Sequence, residues 1–305
     1  PVYNTDPIIL RHCLNSALKA AEDAHEVVVV DDASDWGETR EFLSRCIASG
    51  FDNLKVLRNA ENSGVSYSLN KGAANATGDL YAPVDHDDMV VAKGFQVMMR
   101  SLEYSGDCWA YSDELQISYK GVPGRFMYKP VFSLQLLRSV MYINHLQLIS
   151  SSLFDSIGGY REGFEGSQDH DLALRLSEQI VPKHISAVAY LWRRTDKRLS
   201  GEFGRISDTS IKASQVALEE HFHRLGLTAQ VTPYELQPSH ELPPQSTGTF
   251  VSRIQPVAVP KISIIIPCKL GTTFKIGRRT TVNVLEHCLQ SIRKSLLESD
   301  TQTLE

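Results

Sequence analysis

The stretch Val27-Val28-Val29-Val30-Asp31-Asp32-Ala33-Ser34 decides the fold. Its run of β-branched apolar residues reads as a strand buried on both faces, because a strand with one wet face alternates apolar and polar positions. Two acids follow at once, at the strand end where open parallel sheets bind their ligands. Upstream, Leu10, Cys13, Leu14, Ala17, Leu18 and Ala21 fall on one helical stripe between Leu10 and Ala24. Downstream come a helix from Glu38 to Ser49 with Gly50 as its stop, a strand Asn53 to Leu57, a helix Val65 to Ala76 and a strand Leu80 to Val84. Strands alternating with amphipathic helices predict an α/β protein whose central sheet is mixed but mostly parallel, with helices on both faces.

Past Asp88 the rhythm changes. Helix Phe95 to Tyr104, strand Cys108 to Ser112, turns near Gly121 and Pro123-Gly124, and strand Leu146 to Ser151 predict a mixed second half. Helix Asp171 to Ser177, strand His184 to Trp192 and a helix Ser207 to Leu225 complete a domain over residues 1–237. A segment rich in Pro, Ser and Gln reads as a linker over 238–260. Arg11-His12-Cys13-Leu14-Asn15-Ser16 then finds an echo in Glu286-His287-Cys288-Leu289-Gln290-Ser291. The second copy follows a buried-strand run, Ile262-Ser263-Ile264-Ile265-Ile266, while the first starts abruptly at Pro1. Residues 261–305 are therefore expected to open a second, truncated domain of the same kind, and the first domain is expected to lack its first strand. The Ile262 to Ile266 strand could fill that vacancy.

The 305 residues are 42% hydrophobic and 22% charged, enough to bury a core. A net charge of -5 with no long basic run argues against nucleic acid as partner. No apolar run reaches the ~20 residues of a membrane span, and Pro1 to Leu10 lacks the plan of a secretory signal. Five cysteines, widely spaced and without a Cys-x-x-Cys, indicate neither a disulfide framework nor a zinc knuckle, so a reducing cytoplasm is expected.

A second acidic cluster, Asp85-His86-Asp87-Asp88, follows the strand Leu80 to Val84. Carboxylates crowded at one strand end repel each other unless a cation intervenes, and oxygen-rich sites of this type suit Mn²⁺ or Mg²⁺. In extended chain Asp85 and Asp87 would point to one side. The plain alternative is that short acids sit here as turn and cap residues.

The ordered series Pro1-Val2-Tyr3-Asn4, Asp31-Asp32-Ala33-Ser34, Asn62-Ser63-Gly64, Asp85-His86-Asp87-Asp88 and Gly166-Ser167-Gln168-Asp169-His170-Asp171 resembles the family 2 glycosyltransferases of the Rossmann-like GT-A fold. Tyr111-Ser112-Asp113-Glu114, Gly158-Gly159-Tyr160-Arg161 and Tyr190-Leu191-Trp192-Arg193 further resemble multidomain bacterial members that build surface polysaccharides, rhamnosyltransferases among them.

The resemblance implies an inverting hexosyl- or deoxyhexosyltransferase taking a UDP-, dTDP- or GDP-linked sugar to a hydroxyl of a growing cell-surface glycan. A further glycosyltransferase domain would lie in the parent protein, which would meet the inner membrane only through parts outside this chain. Asp32 would bind the base, with Pro1 and Tyr3 lining its pocket, and Asn62 and Gly64 would support the nucleotide. Asp87 is the expected direct metal ligand and Asp85 would face the ribose or sugar, with Asp88 a third metal candidate. Asp169 would be the general base, and its helix-start position also suits a plain acidic cap, a role that Ser167 fits better. Two departures stand out: the family's glutamate before the base is Gln168, and a histidine often found before Trp192-Arg193 is Leu191. Arg193, Arg194, Lys197 and Arg198 form a basic loop that either closes over the diphosphate or is simply solvated. His145, beside Asn144, either contacts the acceptor or shapes a turn. The competing reading is a catalytically degenerate glycan-binding or scaffold module. A sugar nucleotidyltransferase is disfavoured, since Pro1 to Pro7 holds no glycine for a phosphate loop.

Overall fold

In the computed structural model, residues 1–21, 26–102, 108–194, 207–236, 245–255, 273–276 and 280–301 are described. The chain divides into two compact units, Pro1–Gln255 and Pro256–Glu305.

The first unit opens with α1 (Pro7–Ala20), whose start is set by Asp6: its carboxylate accepts the Ile8 and Ile9 N–H groups, and Pro7 fills the first turn, where no N–H is needed. The valine run forms β1 (Val27–Asp31), paired in parallel with β2 (Leu54–Arg58) across α2 (Gly37–Ala48). Val2 joins β1 on its other side, donating to Val30 O at 2.8 Å and accepting from Asp32 N at 2.8 Å. Helix α3 (Val65–Ala74) leads to the short β3 (Leu80–Tyr81), which ends earlier than expected because the chain leaves the sheet to make the acidic turn. After that turn come β4 (Met89–Val90) and α4 (Ala92–Ser101).

The second half is mixed, as expected. It comprises β5 (Trp109–Ser118), β6 (Pro123–Met127), α5 (Leu134–Leu137), β7 (Gln147–Ser150), α6 (Ser151–Ser156), α7 (Gln168–Ser177), β8 (Lys183–Arg194) and α8 (Asp208–Arg224). The sheet runs β3-β7-β5-β8-β4, with β6 hairpinned onto β5. Within it β5 and β8 are parallel, and the other pairs are antiparallel. Gly94 lets α4 lie on β8: a Cβ there would meet Val188 O at 2.1 Å, a backbone atom that cannot step aside.

The core falls into three patches. Val2, Leu10, Leu14, Val29, Phe42 and Leu43 seal the β1–β2 layer. Met98, Ala110, Leu148 and Tyr190 pack one part of the larger sheet. Trp109, Tyr111, Leu172, Leu174 and Phe222 fill another. Each fully buried Leu or Phe among them contributes about 1.5–3 kcal/mol.

Two strands, β9 (Ala229–Leu236) and β10 (Gln245–Ile254), form an antiparallel hairpin that closes the unit over α8. The part of the expected linker at 245–254 is thus a paired strand, because Phe250 buries its ring beside His170 and donates its N–H to Ser139 O. In the second unit β11 (Thr273–Ile276) and β12 (Thr280–Asn283) pair antiparallel, and α9 (Val284–Thr301) follows, its first N–H groups held by Asn283 Oδ1. The Ile262 to Ile266 run, with the strand vacancy it might fill, lies outside the described residues. Among the described residues no helix is long and apolar enough to cross a membrane.

Candidate active site

The acidic segment is a turn, not an extended strand. Asp88 N donates to Asp85 O at 3.2 Å, and the chain then re-enters the sheet as β4. The alternation that would pair Asp85 with Asp87 therefore does not apply. Instead one ligand atom from each of Asp85, Asp88 and His145 lies within 4.8 Å of the others. His145 Nε2 stands 3.6 Å from Asp85 Oδ2. Its ring packs against Tyr190, with centroids 4.9 Å apart, while the Tyr190 hydroxyl accepts the Asp85 N–H.

Asp88 is only 1% exposed. Its Oδ1 accepts the Arg193 N–H at 2.6 Å, but its buried Oδ2 has no partner. Burial, then the charges of Asp85 and Asp87, push this carboxyl up to about 8. A buried acid oxygen without a donor, next to another carboxylate and an imidazole, is the kind of deficit that a bound divalent cation removes. The residues present fit such a group.

Arg193 is not in a loop. It is the penultimate residue of β8, 4% exposed, with Nε donating to Asp87 O and Nη1 to Tyr119 O, each at 2.7 Å. Its Nε is taken up by the acidic turn and its Nη1 by the Tyr119 carbonyl, while the buried Nη2 has no hydrogen-bond partner among the described residues; pairing of β8 with β5 runs through Arg194. Lys197 and Arg198 lie outside the described residues. Trp192 packs against the Tyr190 core patch.

Just after β1, Asp32 is buried and shapes a turn. Its Oδ1 accepts from Asn59 Nδ2 and Ser63 N, and its Oδ2 from Gly64 N, at 2.7–2.9 Å. Those bonds leave it about one of its four lone-pair sites for a ligand. Asp31 is likewise taken up by Ser34 N and Arg58. Asn62 is exposed on this turn, and Gly64 opens α3 with φ +89°, a conformation that favours glycine. Tyr3 is exposed, and Pro1 lies close enough to Asp85 and Asp32 to feel both charges.

Asp169 stands in the first turn of α7. Ser167 takes the cap position, but its hydroxyl donates to Ser210 O; the cap-like bond comes from Gln168, whose Oε1 accepts Gly166 N. Gln168 Nε2 donates to Asp169 Oδ2 at 3.2 Å, so the amide supplies a donor where a glutamate would repel. Burial pushes the Asp169 carboxyl up to about 6; the Asp85 charge adds to this, and the His145, Asn144 and Tyr160 side chains oppose it. Asp85, Asn144, His145, Gln168 and Asp169 line a single cavity with Leu69, Pro83 and Gln147. Asp85 of the acidic turn and the expected base thus share one cleft.

Three residues that sequence reasoning did not single out hold this geometry. Asn70 on α3 clasps Tyr160, its amide donating to Tyr160 O at 2.7 Å and accepting Tyr160 N–H at 2.9 Å. Asp171, fully buried, takes Arg161 and Arg175, and Arg175 in turn donates to Ile157 O and Gly159 O. Glu114 receives His145 N–H. Only Glu114 and Asp171 carried a signal, as members of the quoted motifs. His221 is a core residue bonded to Glu178 and Arg138.

Residues 1–120 match the family model described as Glycosyl transferase family 2. The chain is 30% identical over 299 residues to the uncharacterized protein y4gI of Sinorhizobium fredii, covering 96% of this chain and 30% of that one. It is 31% identical over 275 residues to the O-antigen biosynthesis protein RfbC of Myxococcus xanthus, covering 88% of this chain and 20% of that one. The chain thus spans less than a third of the length of either relative. The crystal structure of S. aureus TarS 1-349 in complex with UDP-GlcNAc superposes with a TM-score of 0.52 at 19% identity, covering 68% of this chain and 61% of that one. With that fold and that family match, the chain carries a family 2 glycosyltransferase domain of the GT-A fold.

Proposed function

We propose that this domain moves a sugar from a nucleoside diphosphate sugar to a hydroxyl of a growing surface glycan, with inversion at the anomeric carbon. The observation that carries the reading is the cavity shared by Asp85, His145 and Asp169. RfbC, by its name an O-antigen biosynthesis protein, favours a polysaccharide acceptor, and the UDP-GlcNAc bound to TarS makes a uridine donor the first to test.

In this reading Asp169 accepts the proton of the acceptor hydroxyl as that oxygen attacks the anomeric carbon, and the nucleoside diphosphate leaves with the bond's electron pair. A placed general base is worth roughly 10²- to 10⁴-fold. Gln168 orients the Asp169 carboxylate, and the Asp32 turn with Asn62 and Gly64 receives the nucleoside. Asp85, Asp88 and His145 would hold Mn²⁺ or Mg²⁺, with Asp87 on the same turn. A cation there supplies positive charge against the diphosphate leaving group. Residues 261–305, within the second unit, are read as the opening of a further domain of the same kind, supported by the echo of the α1 motif on α9.

Calorimetry with UDP, dTDP and GDP, with and without Mn²⁺, tests the reading. Cation-dependent binding of at least one nucleotide is expected. Absence of binding under every condition would favour the scaffold alternative.

A further inference from the structure

Beside His145 lies a buried ion pair that no step above uses. Lys129 Nζ is 3.4 Å from Glu114 Oε2, and both side chains are at most 6% exposed. The pair converges on one residue's backbone: Glu114 Oε2 accepts His145 N–H at 2.6 Å, and Lys129 Nζ donates to His145 O at 2.7 Å. The two charges come from neighbouring segments, Glu114 from β5 and Lys129 from the chain just after β6, where Asp113 also accepts Lys129 N–H. Desolvating two charges costs several kcal/mol each before their attraction is counted. A pair placed only to join β5 to the β6 segment would be outdone by apolar side chains, whereas this one grips both the N–H and the C=O of the residue whose imidazole faces Asp85.

We infer that Glu114 and Lys129 are positioning residues: by fixing the His145 backbone at both ends they aim its Nε2 at Asp85 and Asp88 and so set the cation affinity of the site. The inference rests on the cation reading above. It differs from a purely structural role in what it changes, since a pair that only stabilised the sheet would alter unfolding and leave cation affinity alone.

The test is Mn²⁺ binding followed by electron paramagnetic resonance in the presence of UDP. The proteins are the wild type, Glu114→Gln/Lys129→Met, which removes both charges together so that neither is orphaned, and His145→Ala. Loss of a residue that orients a metal ligand weakens metal binding about 10- to 100-fold. The double variant is expected to lose that much while its thermal midpoint stays near the wild type's. Unchanged Mn²⁺ affinity in the double variant, with affinity lost in His145→Ala, overturns the inference and leaves the cation site standing. Unchanged affinity in His145→Ala overturns the cation role of His145 itself, and the inference with it. If the double variant does not fold, Lys129→Met alone is titrated; it removes the donor to His145 O, while Glu114 can stay neutral by binding a proton and still accept His145 N–H, and an affinity equal to the wild type's contradicts the inference.

Discussion

Asp85 and Asp169, from opposite halves of the domain, open onto one cavity, and the His145 imidazole acts on both: its Nε2 lies 3.6 Å from Asp85 Oδ2, and it opposes the upward push on the Asp169 carboxyl. The turn that could hold a cation and the carboxyl read as the proton acceptor thus face one cleft.

The pH profile of transfer should show this coupling. Burial holds the Asp169 carboxyl at about 6, above the ~4 of a free carboxylate. The base works only when ionised, so kcat/KM should fall as pH drops through about 6. An acid limb near 4 would mean that Asp169 is not the titrating base.

Stability should move the opposite way. Because the folded-state value lies above the unfolded one, the folded protein binds this proton more tightly; stability from it is present below pH ~4 and lost as pH rises through about 6. Asp169→Asn removes the burial cost of the charge, so at neutral pH the variant should be more stable by about 1–3 kcal/mol. Denaturant unfolding reads this directly, and a destabilised variant would contradict the buried-charge account.

Asn70 on α3 ties that helix to the Tyr160 loop that leads into α7, the helix of Asp169. Asn70→Ala leaves the N–H and C=O of Tyr160 without their partner, which should cost about 1–3 kcal/mol. In steady-state kinetics kcat should fall with UDP affinity unchanged. Equal losses in both would indicate a general collapse of the site.

The Arg193 guanidinium ties the acidic turn to the chain after β5, donating to Asp87 O and Tyr119 O, while its backbone N–H holds Asp88. Lysine has the charge but not the planar fork. Arg193→Lys should therefore raise the Mn²⁺ concentration needed for half-maximal transfer. An unaltered requirement would mean that the turn holds its shape without Arg193.

Much of this was legible in the chain. The valine run and the acids after it mark β1 and its ligand end, because burial on both faces leaves no polar position in a strand. The stripe Leu10, Cys13, Leu14 fixes α1, and the Gln168-Asp169 pair locates α7. What escaped depends on partners distant in sequence. Asn70 reads as an ordinary polar helix residue, and only the fold shows Tyr160 opposite it. Lys129 reads as a solvated lysine, since the β5–β6 hairpin that buries it also supplies Glu114. The Asp85 to Asp88 segment resembles a strand end, and the Asp88 N–H bond that turns it is invisible in composition. Arg193 reads as part of a basic loop because the basic run hides the last positions of β8, which pairing with β5 keeps extended.

On the proposed function, Asp169 takes the acceptor's proton in the cleft where Asp85 meets the donor. Measuring UDP binding and sugar transfer side by side in Asp169→Asn separates this role from donor binding. UDP affinity should stay within a few-fold of the wild type while transfer falls about 10²- to 10⁴-fold; transfer at near wild-type rate would show that another group takes the proton.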